Sequence, residues 1–147
     1  MRTKSAAAAV LQLLVAAAIC GCVDHASKYT PSAAAAEAAL RCALDAWKAG
    51  QPVGPVPDTK PVIHVTDGGR KTGQTLERYE VLGETRGTAG RTFVVQLHLA
   101  NPEERLKARY VLVGIDPLWV FRQEDYELLM HWDHHMPAEE VPATAGR

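Results

Sequence analysis

From Arg91 to Leu99 every second side chain is apolar. Phe93, Val95, Leu97 and Leu99 fall on one face, with Val94, Gln96 and His98 on the other. A period of two predicts a β-strand. Similar patterns occupy Leu76–Thr85, Leu106–Ile115 and Leu118–Arg122, and turn residues separate them. The turns are "GTAG" at Gly87–Gly90, "NPEE" at Asn101–Glu104 and the pair Asp116-Pro117. In Leu106–Ile115, Val111, Val113 and Ile115 alternate with Tyr110, Leu112 and Gly114. A short apolar run, "VIHV" at Val62–Val65, predicts one more strand, and "TDGGRKTGQT" after it predicts a flexible hairpin loop.

Upstream the period changes. Ala33, Ala36, Leu40, Ala43, Leu44 and Trp47 recur at helical spacing, with Glu37, Arg41, Asp45 and Lys48 as a charged stripe beside them. Thr30 can cap this helix, Pro31 suits its first turn and Gly50 its end. The four prolines of Gln51–Pro61 predict an extended connector. At the other end, "QEDYELLMHWDHHMP" predicts a short helix that Gln123 or Asp125 can cap and Pro137 ends. Its Leu, Met and Trp side chains are expected to pack on the sheet.

The order of elements is therefore one long helix, a four- to five-stranded antiparallel meander and a short C-terminal helix, an α+β arrangement. That order, over roughly residues 31–123, resembles the cystatin-like and NTF2-like superfolds, in which a curved antiparallel sheet wraps a helix. The resemblance rests on element order alone. The Gln-Val-any-Val-any-Gly pattern of cystatin protease inhibitors is not found, and folds of this kind host many unrelated activities.

The first 22 residues have a different character. Arg2 and Lys4 precede an apolar run, Ala6–Ile19, interrupted only by Gln12. About fourteen apolar residues are too few to span a bilayer but fit the h-region of a secretory signal. The run ends in "AAICGC". Ile19, Gly21 and Cys22 place an aliphatic residue at −3 and a small residue at −1. This resembles the bacterial lipoprotein box. Cys20 fits less well, because Ile19 would then occupy −1. The resemblance implies diacylglyceryl transfer to the Cys22 sulfur, cleavage before Cys22 and acylation of the new amino group. Val23 is not the aspartate associated with inner-membrane retention in some Gram-negative bacteria, which favours the outer membrane. The expected organisation is a signal peptide at 1–21, a tether at 22–30, one α+β domain at 31–136 and a disordered tail at 137–147.

Cleavage changes two quantities. The whole chain has 16 basic and 17 acidic residues, and loss of Arg2 and Lys4 leaves a net charge of −3. Nothing basic enough for nucleic acid is present. Of three cysteines, Cys20 departs, Cys22 carries lipid and Cys42 is left alone, so no intramolecular disulfide is expected.

Candidate chemistry is sparse. "MHWDHHM" at Met130–Met136 holds three of six histidines. On a continuous helix His131 and His135 lie one turn apart with His134 beside them, a spacing that can hold zinc or copper. Met130 and Met136 would favour Cu(I). The zincin order His-Glu-x-x-His is absent, because Trp132 follows His131. His64 and His98 are the only other histidines in the predicted domain. Gln96 and His98 share a strand face and can line a pocket. Tyr79, Glu80 and Glu84 offer the residue types of acid–tyrosine isomerases. "TDGGRKTG" lacks the Walker pattern. No catalytic residue and no cofactor are assigned. The reading is a non-enzymatic envelope lipoprotein, held to the bilayer through Cys22, that binds an envelope protein or small ligand. Two alternatives stay open: a copper or zinc protein using His131, His134 and His135, and an NTF2-like small-molecule binder or enzyme.

Overall fold

The computed structural model describes residues 28–87 and 89–132. Cys20, Cys22, His134, His135, Met136 and the 137–147 segment lie outside them. The described part is α+β, with two helices and a six-stranded mixed sheet.

Helix α1 (Ala33–Lys48) is capped by Ser32, whose hydroxyl accepts the Ala35 N–H at 3.2 Å, and not by Thr30. At its other end Gly50, at φ +83°, donates to Trp47 O, and Gln51 donates to Ala46 O. This pair of bonds satisfies the last carbonyls, and glycine makes the left-handed turn without a Cβ clash. The buried face is Ala36, Ala39, Leu40, Ala43, Leu44 and Trp47, the predicted stripe with Ala39 added and Ala33, in the first turn, exposed.

The strands are β1 (Gly54–Pro55), β2 (Ile63–Thr66), β3 (Thr75–Thr85), β4 (Arg91–Ala100), β5 (Glu104–Val113) and β6 (Leu118–Arg122). Helix α2 (Gln123–Trp132) follows β6 directly. The strand order is β1-β2-β6-β5-β4-β3. Strands β3 to β6 form the predicted antiparallel meander. The remainder corrects it. Strand β2 pairs parallel to β6, and the proline-rich connector supplies β1, antiparallel to β2. The register explains the parallel pairing. Ile63 and Val65 of β2 stand beside Leu118 and Val120 of β6, so their apolar sides extend one continuous face. Segment 67–74 is consequently not a hairpin loop. It crosses from β2, near one edge of the sheet, to β3 at the other.

One face of the sheet packs against α1. Leu76, Phe93, Val95, Leu97, Ala108, Tyr110, Leu112 and Val120 close this core around Leu40 and Leu44. The opposite, outer face carries Thr92, Val111 and Phe121, which are also buried.

The C-terminal helix departs from expectation. None of its residues is buried. Its first half is held by Asp125, which accepts the Gly68 N–H at 2.7 Å, and by Tyr126, tilted on Phe121 at 5.7 Å. Asp125 thus serves the crossing segment, and a Cβ on Gly68 would come within 2.8 Å of its carboxylate. Helix α2 follows β6 without a linker, and its Leu, Met and Trp side chains stay exposed instead of packing on the strands.

Candidate functional site

The outer face is where strand alternation and helix placement set apolar groups outside the α1 core. Half-buried Trp119 and buried Phe121 project from β6 opposite Leu118 and Val120. His64 of β2 stacks on Trp119 at 4.6 Å, Trp119 stacks on Phe121 at 5.6 Å, and Tyr126 continues the row. Beside it α2 exposes Leu128 (61%), Leu129 (53%), Met130 (42%) and Trp132 (77%). Thr66, Phe121, Asp125, Leu128, Leu129 and Trp132 line an open, mainly apolar groove of about 280 Å³. Such a concentration of exposed apolar side chains on a small domain marks a contact surface.

Along β5 the same face is cationic, because Arg105, Lys107 and Arg109 alternate with the inward Leu106, Ala108 and Tyr110. Here the Arg78 guanidinium donates to His98 Nδ1 at 3.1 Å. Desolvation, then the charges of Arg78 and Arg105, pull the His98 imidazole below its ordinary range.

A second polar cluster lies on the α1 side, where the crossing segment leaves β2. Asp67 is buried. Its carboxylate accepts the Tyr110 hydroxyl at 2.8 Å, the Arg70 Nε–H at 3.3 Å and the Gly69 N–H at 3.2 Å, and stands 3.6 Å from Arg122 Nη1. Burial, then the Asp67 charge, pushes the Tyr110 phenol far above its usual range. Arg70 also lies over the Trp47 ring, 4.2 Å from its centroid, tying α1 to the segment. Further along, Glu104 accepts from Lys71 Nζ at 2.8 Å and Gln74 Nε2 at 3.1 Å. The hydrogen bonds from Lys71 and Gln74 hold its carboxyl below the usual range. Every one of these groups binds a neighbour in the crossing segment or under it, so the cluster is a clasp that fixes the segment over the core.

The predicted site residues are scattered. His131 sits in the last turn of α2, exposed. His134 and His135, its expected co-ligands, lie outside the described residues, as does Cys22. His64 is engaged with Trp119 and His98 with Arg78. Among the described residues no group of three or more His, Cys, Asp or Glu is placed to hold a metal ion. Tyr79 and Glu80 point to opposite faces of β3. Tyr79 donates to Asp45 of α1 at 2.9 Å, and Glu84 pairs with Arg91 at 2.7 Å, so the acid–tyrosine set does not assemble. Cys42 is half-buried on α1, and burial followed by the Asp45 charge raises its thiol.

Sequence reasoning missed the outer aromatic row and the clasp. The first had a signal. In "LWVFR" both alternating sets are apolar, so the strand has two faces that avoid water or wait for a partner. The clasp had none, because Asp67, Tyr110 and Arg122 are far apart in the chain. Among the described residues no helix is long and apolar enough to cross a membrane. The chain matches no family, no curated protein and no solved structure.

Proposed function

We propose that this protein is a non-enzymatic lipoprotein of the bacterial envelope, anchored through acylated Cys22, whose outer sheet face and α2 dock an envelope protein partner. One observation carries the docking role: Leu128, Leu129, Met130 and Trp132 are exposed on a helix that adds no buried side chain to its own domain. Four large apolar groups in water are costly to solubility, at about 25 cal/mol per Å² of apolar surface left unburied. Burial against a partner recovers that free energy. The half-buried, stacked His64 and Trp119, backed by Phe121, extend the surface with rigid rings, which lose little side-chain entropy on binding. The "AAICGC" ending supports the anchor, and Val23 favours the outer membrane as its location.

Two experiments test the parts separately. Metabolic labelling with a palmitate analogue is expected to mark the wild type and not Cys22→Ala; equal labelling sinks the anchor. A photo-crosslinking residue at Leu129 in cells is expected to give a discrete adduct, whereas one at Glu37, on the exposed side of α1, gives none. No adduct from Leu129, or the same adducts from both, sinks the docking role.

A further inference from the structure

We propose that the end of the domain bearing Tyr29, Val62 and Ile115 rests against the bilayer surface, so that the anchored protein stands in one orientation. This rests on the anchoring of Cys22 proposed above. Only residues 23–27 separate Cys22 from Lys28, and six peptide units extended reach about 20 Å at most. The point where this stretch enters the domain is fixed. Tyr29 O accepts the Gly114 N–H at 2.7 Å, and Pro31 O accepts the Arg91 Nε–H at 2.7 Å. Both bonds belong to the same end of the sheet, where β4 starts and β5 stops. The anchor therefore brings this end, and not the opposite Asn101–Glu103 turn, to the lipid.

What stands there suits a headgroup layer. Tyr29 is 64% exposed, Ile115 51% and Val62 42%. Val62 is placed at this end by its carbonyl, which accepts the Leu118 N–H at 2.8 Å. Tyrosine favours the membrane–water interface, apolar side chains insert below it and cations meet anionic headgroups. Lys28, Lys60 and Arg86 are exposed on the segments of this end, against Asp58 and Asp116. The Asn101–Glu103 turn, by contrast, is polar and exposed. Among the described residues none of the exposed large apolar side chains falls on the Asn101–Glu103 turn. Three apolar side chains on an acidic protein would hold a free domain poorly. A covalent tether makes the contact intramolecular and raises its effective concentration, so a weak face is enough.

The test uses full-length acylated protein in vesicles of phosphatidylethanolamine and phosphatidylglycerol, its acyl mass verified by mass spectrometry. A fluorophore is placed on Asp116→Cys or on Glu103→Cys, each in a Cys42→Ser background, and quenched by phospholipid spin-labelled near the headgroup. The label at 116 is expected to lose about half its emission, while that at 103, about 30 Å away along β5, keeps its own. Tyr29→Ser combined with Ile115→Ser, both exposed positions, is expected to shrink the difference to what the tether alone imposes. Equal quenching at 116 and 103 in acylated protein, or a difference left unchanged by the double substitution, overturns the orientation and leaves the anchor standing. Protein recovered without acyl mass overturns the anchor, and the orientation with it.

Discussion

Asp67 has no side-chain exposure, and two arginines that are themselves nearly buried share its carboxylate with the Tyr110 hydroxyl. A buried charge keeps its place only while its partners compensate its lost hydration. Asp67→Ala leaves Arg70 and Arg122 without that compensation, so it is expected to cost about 3–5 kcal/mol in urea unfolding. Lys71→Ala, which removes an exposed pair with Glu104, should cost no more than about 1 kcal/mol. Tyr110 adds a pH signature. Its folded phenol holds its proton far above the usual range, while the unfolded phenol ionises at about pH 10. A raised folded value favours the folded state fully below about pH 10, and that contribution is lost as pH rises beyond it. Tyr110→Phe is therefore expected to give a shallower alkaline decline of thermal stability than the wild type. Gly114 is a third single-residue lever. It lies at φ +85°, and a Cβ there would stand 2.5 Å from Pro117 O. Gly114→Ala should lower the unfolding midpoint measurably, although the position is not in the core.

The two helices do different work. The buried stripe of α1 was legible because a helix lying on a sheet must repeat its apolar positions every 3.6 residues, and Leu40, Leu44 and Trp47 do so. The alternation of β4 was equally legible, with Phe93, Val95, Leu97 and Leu99 all buried. In α2 apolar residues were equally evident, but which way they face depends on how the helix leaves β6, and no local pattern encodes that. This gives a comparison by chemical denaturation. Leu44→Ala is expected to cost about 2–5 kcal/mol through the cavity it opens. Leu128→Ser and Trp132→Ser, which remove nothing buried, should each stay within about 0.5 kcal/mol. If the α2 variants cost as much as Leu44→Ala, the helix packs as the sequence first suggested and the docking surface vanishes. The parallel pairing of β2 was hidden for a related reason. Neighbours in sequence usually pair, whereas β2 matches its apolar side to β6, and the clasp around Asp67 holds the segment 67–74 that then crosses the sheet.

At the scale of the whole molecule, the cysteine content bears on what holds the fold together. In our proposal Cys42 is the single thiol left after cleavage and acylation, so the fold stands on packing, hydrogen bonds and the clasp. Adding a reductant to the mature protein is accordingly expected to leave its thermal midpoint unchanged; a clear drop would reveal a structural disulfide between molecules and defeat that account. The local periodicities by themselves determined most of the α1 stripe, the antiparallel run of β3 to β6 and the α+β class, because those features are set by side chains a few residues apart. The composition of residues 1–22 motivates the proposed anchor in the same way. Only the tertiary structure decided that β2 joins β6, that Asp67, Tyr110, Arg70 and Arg122 form one clasp, and that α2 turns its apolar side to water. Those outcomes depend on which distant groups can compensate one another's lost hydration once the chain is compact, and spacing along the sequence carries no record of that.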